Sequence, residues 1–237
     1  MRILRSVSEF EQQNKFLAVT LGNFDGVHLG HQQLLRLAVM EAKKRCGLSM
    51  AFTFEPHPLV VLSEQQPQLL QSRTEKSKAI AEFGLDYLLE LPFTAELAAM
   101  QPKYFAEQFL GPHGLAADLL VVGFNFSFGA KGAGGPQTLQ ALGFEHGYRV
   151  EIVPPCQKDG GIVSSSWLRK LIAAGQIVQA NQLLGREYAL TGEVVHGRQL
   201  GRQFFGFPTA NILPTSNMLL PAFGVYAAYA ECLGQTW

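Results

Sequence analysis

Short apolar runs alternate along this chain with longer stretches of helical spacing. Residues 16–21, Phe-Leu-Ala-Val-Thr-Leu, form the first run and stop at Gly22; Leu34, Leu35 and Leu37 then mark a helix-like stretch reaching about Arg45. Residues 48–54 read as a second strand, which ends in Glu55-Pro56-His57-Pro58, a rigid loop where proline forbids both helix and ladder. The segment 73–83 is amphipathic, with Ile80 and Phe83 on one side and Glu75, Lys76 and Lys78 elsewhere; Gly84 ends it. Asp86 to Leu91 is a third strand, followed by helical pieces at about 94–100 and 102–110, the second with Pro102 at its start. Residues 118–123 read as a fully buried strand. A loop rich in glycine and aromatics, 124–136, leads to a helix at about 137–146, a strand from Tyr148 to Val153, and a turn that opens a short helix ending at Gly175.

Strands that alternate with helices predict an α/β fold around a mostly parallel sheet with right-handed crossovers. Ligands bind such sheets beyond the carboxyl ends of the strands. The loops at 22–31, 55–58, 124–131 and 160–166 all follow strands, so all four should gather at one edge. From about Gly185 the texture changes to glycine turns, a Pro-Thr-Ala-Asn run and a further strand expected over 223–233. The domains are therefore read as 1–184 and 185–237, the second being the start of an all-β module.

Composition narrows the classes of function. The chain has 237 residues, 47% apolar and 16% charged, enough for a sizeable core. Lysine plus arginine equals aspartate plus glutamate at 19 each, so net charge gives no reason to expect a nucleic-acid or membrane partner. Any phosphate binding must be local. The first fifteen residues hold no apolar signal region, and no run approaches the roughly 18 residues of a membrane span. Cys46, Cys156 and Cys232 are far apart and form no CxxC pair, which argues against a metal or disulfide framework and makes the cytoplasm the expected compartment.

Candidate chemistry centres on Gly22-Asn23-Phe24-Asp25-Gly26 and His28-Leu29-Gly30-His31. A strand, a glycine turn and a helix start make an anion site, because the first turn of a helix offers unpaired N–H groups and a positive dipole end. Two imidazoles three residues apart can point at one anion, and Gly22, Gly26 and Gly30 can let a nucleotide approach the backbone. The plainer alternative is one histidine capping the turn and another at the surface. Ser164, Ser165 and Ser166, with Arg169 one turn on, resemble a second anion clamp, although one serine could simply be an N-cap. No P-loop and no GxGxxG occurs. Histidines and an arginine around phosphates suit nucleotidyl transfer at the α-phosphorus of ATP. A phosphate acceptor is already anionic near neutral pH, so no general base is needed there. Phe54, His57, Phe124, Phe126 and Phe128 could stack on a planar heterocycle. Any single phenylalanine is more simply core; His57 and Asn125, polar and in loops, are the better candidates. In the last fifty residues Gly201-Arg202 and Phe207-Pro208-Thr209-Ala210-Asn211 stand out, since the Thr209 hydroxyl and the Asn211 carbonyl are hard oxygen ligands suited to Mg²⁺.

The motifs GNFDGVHLGH, TFEPHP, VVGFNFSFG, VSSSWLR, GR followed by GFPTAN, and LPAFGVYA occur in the order found in bacterial FAD synthetases, the bifunctional riboflavin kinase/FMN adenylyltransferases, which the chain resembles over nearly its whole length. That resemblance implies a Rossmann-like nucleotidyltransferase domain of the HxGH class that joins ATP and FMN to give FAD and pyrophosphate with Mg²⁺. It implies that His28, His31, Ser165 and Arg169 are catalytic and that Gly22, Asn23, Phe24, Asp25, Gly30, Ser164 and Ser166 bind ATP. On the flavin side it implies His57, Asn125, Phe126 and Phe128. It makes 185–237 the start of a riboflavin kinase barrel, with Thr209 and Asn211 at a Mg²⁺–nucleotide site. Ser166 and Trp167 depart from the family's usual threonine and smaller residue, and Lys131 is the one basic residue in the loop after Phe128. The family's kinase module continues for several strands beyond the equivalent of Trp237, one of them carrying the carboxylate base. The expectation is thus an active adenylyltransferase, an inactive partial kinase module that takes riboflavin in the full family, and self-association through unpaired strand edges. The alternatives are another HxGH nucleotidyltransferase, of pantetheine-phosphate or nicotinate-nucleotide type, and a non-catalytic flavin- or nucleotide-binding fragment.

Overall fold

The computed structural model describes residues 1–11, 13–63, 67–196, 209–214, 217–232 and 235–236. Six strands form one sheet in the order β1-β4-β3-β2-β5-β6: Arg2–Leu4 (β1), Leu17–Leu21 (β2), Leu48–Glu55 (β3), Tyr87–Pro92 (β4), Leu119–Gly123 (β5) and Arg149–Val153 (β6). Every pairing is parallel, with Val19 opposite both Met50 and Leu120. The α/β parallel sheet read from the sequence is therefore the observed architecture. All five residues of β2 are buried, which is why the strand shows no polar alternation.

The two sheet faces are covered differently. Ala18 and Ala51 face α1 (Leu29–Lys44), which packs Leu34, Leu35, Ala38 and Val39 against them, beside Ala79 and Ile80 of α3 (Arg73–Ala81). Small residues on the strands let these helices approach closely. Val19, Leu21, Phe52 and Leu120 face the other way, into Phe105, Leu110, Leu139 and Tyr148. A third cluster joins α7 (Ser165–Ala173) and α8 (Ile177–Leu184) through Leu168, Ile172, Ala180, Leu183 and Leu184, and it takes in Leu70 and Leu219.

Several elements depart from the sequence reading. After Glu55-Pro56 a short helix, α2 (Pro58–Leu62), does form. Pro58 stands at its first turn, where the missing N–H would have had no partner, so proline does not forbid it. Lys76 is buried rather than solvated; its ammonium turns inward to Phe54 O and the Glu55 carboxylate, each at 3.4 Å. The helix expected over 102–110 is α-helical only to Phe105 and continues as a π-turn over Ala106–Leu110. Strand β1 and helix α8 lie outside the elements that the sequence pattern predicts. β1 has three residues and one buried side chain, too little for a period. No strand spans 223–230, because among the described residues nothing runs alongside to pair with it; two-residue strands Glu231–Cys232 and Gln235–Thr236 pair with each other instead. Residues 192–195 and 211–214 form an antiparallel pair. Gly201, Arg202, Phe207 and Pro208 lie outside the described residues. Among the described residues no helix is long and apolar enough to cross a membrane.

Gly143 lies inside helix α6 (Pro136–His146), where alanine would ordinarily favour the helix by about 1 kcal/mol. A Cβ there would meet the Tyr148 carbonyl oxygen at 2.6 Å. The backbone clash outweighs propensity, so Gly143→Ala should lower the urea midpoint by the equivalent of roughly 1–3 kcal/mol. An unchanged or higher midpoint would show that the β6 edge yields at no cost.

Candidate active site

The site begins at the end of β2. Between Gly22 and Leu29 the chain must turn from a buried strand into a helix whose first residues face the sheet edge. Phe24 (φ +51°) and Val27 (φ +40°) both take left-handed backbone, and Gly26 takes φ +86°. The Phe24 ring is completely buried and packs with the α1 face, so it anchors the turn rather than lining a ligand site. The glycines have packing reasons of their own. A Cβ on Gly22 would meet the Phe24 ring at 3.1 Å, one on Gly26 the Leu70 side chain at 2.8 Å, and one on Gly30 the His28 ring at 3.2 Å. Glycine here makes room for the protein's own side chains.

His28 is the N-cap of α1. Its Nδ1 accepts from the His31 amide at 3.3 Å, which leaves the proton on Nε2. The His31 ring stacks on it at 3.7 Å, and the Phe24 edge meets His31 from the side. His57 repeats the device at α2, accepting from the Leu59 amide at 3.2 Å. Burial pushes the pKa of His28 and that of His57 down to about 4, and that of His31 well below its usual value. At neutral pH all three are uncharged hydrogen-bonding groups, not the cations that a pair of phosphate-facing histidines suggests.

The second clamp closes on the first. Ser164 caps α7 by accepting from the Trp167 amide, and the Ser165 hydroxyl donates to Asp25 O at 2.9 Å. Arg169 Nη2 meets Asp25 Oδ2 at 2.5 Å, and its Nε donates to Gln68 O at 2.9 Å. The Asp25 carboxylate also accepts from the Leu70 amide at 3.0 Å. Burial raises its pKa, while Arg169 and that amide pull it down. The guanidinium is therefore already partnered by a buried carboxylate. Ser166 is exposed and does not line the cleft, because one residue along a helix rotates a side chain by about 100°.

All four strand-following loops meet, as their places in the chain required. They line one cleft of about 580 Å³. Gly22, Asn23, Asp25, His31, Ser165, Arg169 and Lys131 make its polar side; His57 and Asn125 also reach it. Its apolar side is Phe54, Phe93, Phe105, Phe126 and Phe128, with Leu59 and Leu62 at the rim. The Phe126 and Phe128 rings stack at 5.7 Å. His28, Gly30, Phe24 and Ser164 do not line the cleft; they hold the groups that do. Thr209 and Asn211 are exposed and lie outside it. The sequence reading missed Phe93, Leu59 and Leu62, which carry no polar signal. It also missed Gln32, in the first turns of α1, and Gln71 and Arg186, which reach the turn from distant positions.

Known proteins match both parts of the chain. The FAD synthetase family profile covers residues 10–167 and the riboflavin kinase profile residues 184–237. A bifunctional riboflavin kinase/FMN adenylyltransferase from Listeria monocytogenes is 36% identical over 98% of this chain and 72% of its own length; one from Escherichia coli K12 is 36% identical over 99% and 75%. A crystal structure described as a macrolide-efflux protein from Streptococcus pneumoniae covers 99% of this chain and 76% of its own, with a TM-score of 0.87 and 29% identity.

The depressed histidines set a pH dependence. In the unfolded chain they bind a proton near pH 6.5, but His28 and His57 in the folded protein do so only near 4. The unfolded state then holds more protons across that window, so stability falls as pH drops from about 6.5 towards 4, by on the order of 3 kcal/mol per histidine. Asp25, with its pKa raised, works in the opposite sense but is one group against several. Urea unfolding between pH 7 and pH 4.5 should show the decline, and His57→Gln should flatten it; a flat profile in the parent protein would rule out neutral histidines.

Proposed function

The chain belongs to the bifunctional riboflavin kinase/FMN adenylyltransferase family of FAD synthetases, and from that premise we propose that its cleft transfers the adenylyl group of ATP to FMN, giving FAD and pyrophosphate. One observation carries the assignment: a polar half and an aromatic half meet in a single cleft at the carboxyl edge of the sheet. A nucleotide triphosphate suits the first and a planar flavin the second. That aromatic half favours a flavin over the pantetheine and nicotinate acceptors of other HxGH enzymes.

The reaction needs little proton chemistry. A phosphate oxygen of FMN attacks the α-phosphorus, the new P–O bond forms in line, and the bond to the β-phosphate breaks, releasing pyrophosphate. Mg²⁺ supplies charge neutralisation on the phosphates. Among the described residues no three His, Cys, Asp or Glu side chains come together, so the ion would travel on the nucleotide oxygens rather than in a protein cage. His31, Ser165, Arg169 and Lys131 would donate to phosphoryl oxygens, with Asn23 and Asp25 beside the nucleotide. His28 would hold His31 in place from below. His57, Asn125, Phe126 and Phe128 would meet the flavin. Asp25 would give up part of its hold on Arg169 as the triphosphate arrives.

We assign residues 1–184 to this activity and 185–237 to the start of a riboflavin kinase barrel, a division supported by Gly185, whose left-handed φ of +70° closes α8. The antiparallel pair at 192–195 and 211–214 fits such a start. There Thr209 and Asn211, with one hydroxyl and one amide oxygen, would suit a Mg²⁺ that keeps nucleotide and water oxygens. Phe223, Val225 and Tyr229 are fully or largely exposed, which supports self-association through this module; light scattering across a concentration series should show mass rising, and a constant monomer mass would overturn it.

Incubation with ATP, Mg²⁺ and FMN, followed by chromatography of the flavins, should show FAD appearing one-for-one with pyrophosphate. His31→Ala should cut turnover by about 10²–10³-fold with a smaller fall in melting temperature than Arg169→Ala, since it loses ring packing on His28 and Phe24 but no hydrogen bond from its Nδ1 among the described residues. Arg169→Ala should cut turnover and destabilise as well, because it strands the buried Asp25 carboxylate. No FAD above background from the parent protein would sink the assignment.

A further inference from the structure

Val27 is β-branched and sits at φ +40°, a strained backbone state that persists only where surroundings enforce it. His28 follows directly, so whatever holds Val27 also aims His28 and the His31 ring stacked on it. Of the enforcing groups Gln32 is local, whereas Gln71 and Arg186 come from far along the chain. Gln71 Nε2 donates to Phe24 O at 2.8 Å, and Gln32 Nε2 donates to Val27 O at 3.0 Å and to Leu184 O at 2.7 Å. Arg186, just past α8, reaches furthest. Its Nη2 donates to Gly26 O at 2.8 Å and to Gln71 Oε1 at 2.9 Å, and its Nη1 to Val27 O at 3.4 Å.

Arg186 differs from Arg169, the other guanidinium at the turn. Its hydrogen-bond partners are neutral oxygens, and among the described residues no carboxylate stands within ion-pair distance, whereas Arg169 is matched by Asp25. A partly buried guanidinium beneath the turn grips the strained peptides and brings a positive charge near His28, with Glu82 and Glu75 the carboxylates that act on it from further away. It also lies within the stretch matched by the riboflavin kinase profile, not the one matched by FAD synthetase. The same stretch supports the site's outer wall. Leu69 pairs with Met218, the Leu69 amide donates to Asn217 O at 2.7 Å, and the next residues, Leu70 and Gln71, grip Asp25 and Phe24.

We infer that Arg186 is a positioning residue for adenylyl transfer: supplied from beyond α8, it clamps the Gly26 and Val27 carbonyls and so holds the turn that delivers His28 and His31. The inference rests on the function proposed above. It makes the second module a structural part of the first module's active site, so changes in that module would be felt in FAD formation.

The test uses the full chain with Arg186→Lys, which keeps the charge but not the fork, and Arg186→Gln, which removes both. Thr191→Ala is the control: Thr191 ties the same stretch to Glu75 without touching the turn. Folding is checked by near-ultraviolet circular dichroism. Both arginine variants should lose about 10–100-fold in kcat, the cost of a small misplacement of reacting groups, with KM for FMN within about twofold of the parent; Thr191→Ala should keep parental turnover. Proton NMR of the His28 ring reports on the turn beside the kcat-against-KM split. Burial is the main cause of the lowered His28 pKa and the Arg186 charge adds to it, so the titration midpoint should rise in Arg186→Gln, which loses clamp and charge, and rise less in Arg186→Lys, which keeps the charge. If Arg186→Gln does not fold, Arg186→Lys decides alone. A folded arginine variant with kcat within twofold of the parent, or an unmoved His28 midpoint in folded Arg186→Gln, overturns the inference. Absence of FAD formation in the parent protein would instead overturn the proposed function, while the His28 titration would still report on the clamp.

Discussion

The turn from Gly22 to His28 is the constraint on which the rest of the structure depends. It must leave a strand with no exposed residue and start a helix within seven residues, holding Phe24 and Val27 in left-handed backbone. Its carbonyls point into protein, where an unpaired one would cost roughly 1–3 kcal/mol. The five from Asn23 to Val27 are each met by a side chain: Thr53 on Asn23, Gln71 on Phe24, Ser165 on Asp25, Arg186 on Gly26 and Gln32 on Val27. A large part of the fold thereby converges on one loop. The strand before it, the helix after it, the wall at 67–71, the start of α7 and the chain beyond α8 are positioned by it and hold it.

This arrangement explains the electrostatics of the cleft. Packing the turn so tightly buries His28 and His31, His57 is buried at the start of α2, and burial keeps all three neutral. Fixed positive charge comes instead from arginine and lysine. Arg169 is balanced by Asp25 until something more strongly anionic competes, while Arg186 is bonded only to neutral oxygens. A site built in this way is matched to a polyanion that brings its own cations. It gains little from histidine charge and much from rigid placement of donors.

The order of the strands supplies the other half of the design. Because β2 lies at the centre, flanked by β3 and β5, the loops after these three neighbours stand side by side. The loop after β2 carries the polar turn, that after β3 carries His57 and α2, and that after β5 carries Asn125, Phe126 and Phe128. Strand adjacency sets a polar and an aromatic surface against each other, although they are about a hundred residues apart in sequence.

Much of this is legible in the sequence. Apolar runs set the strands, the loops at their carboxyl ends carried the chemistry, and GNFDGVHLGH with VSSSWLR marked the two halves of the polar side. These are local signals, readable wherever a strand, turn or cap is specified by neighbouring residues. The ordered motifs also identified the family. The protonation of the histidines was not legible, because desolvation depends on what packs around a ring. Nor was the pairing of Arg169 with Asp25 across 144 positions, the burial of Lys76 against Glu55, or the reach of Arg186 back to Gly26. A residue's type states what it can bond to, but only the tertiary structure decides which partner lies within three ångströms and whether water is excluded there.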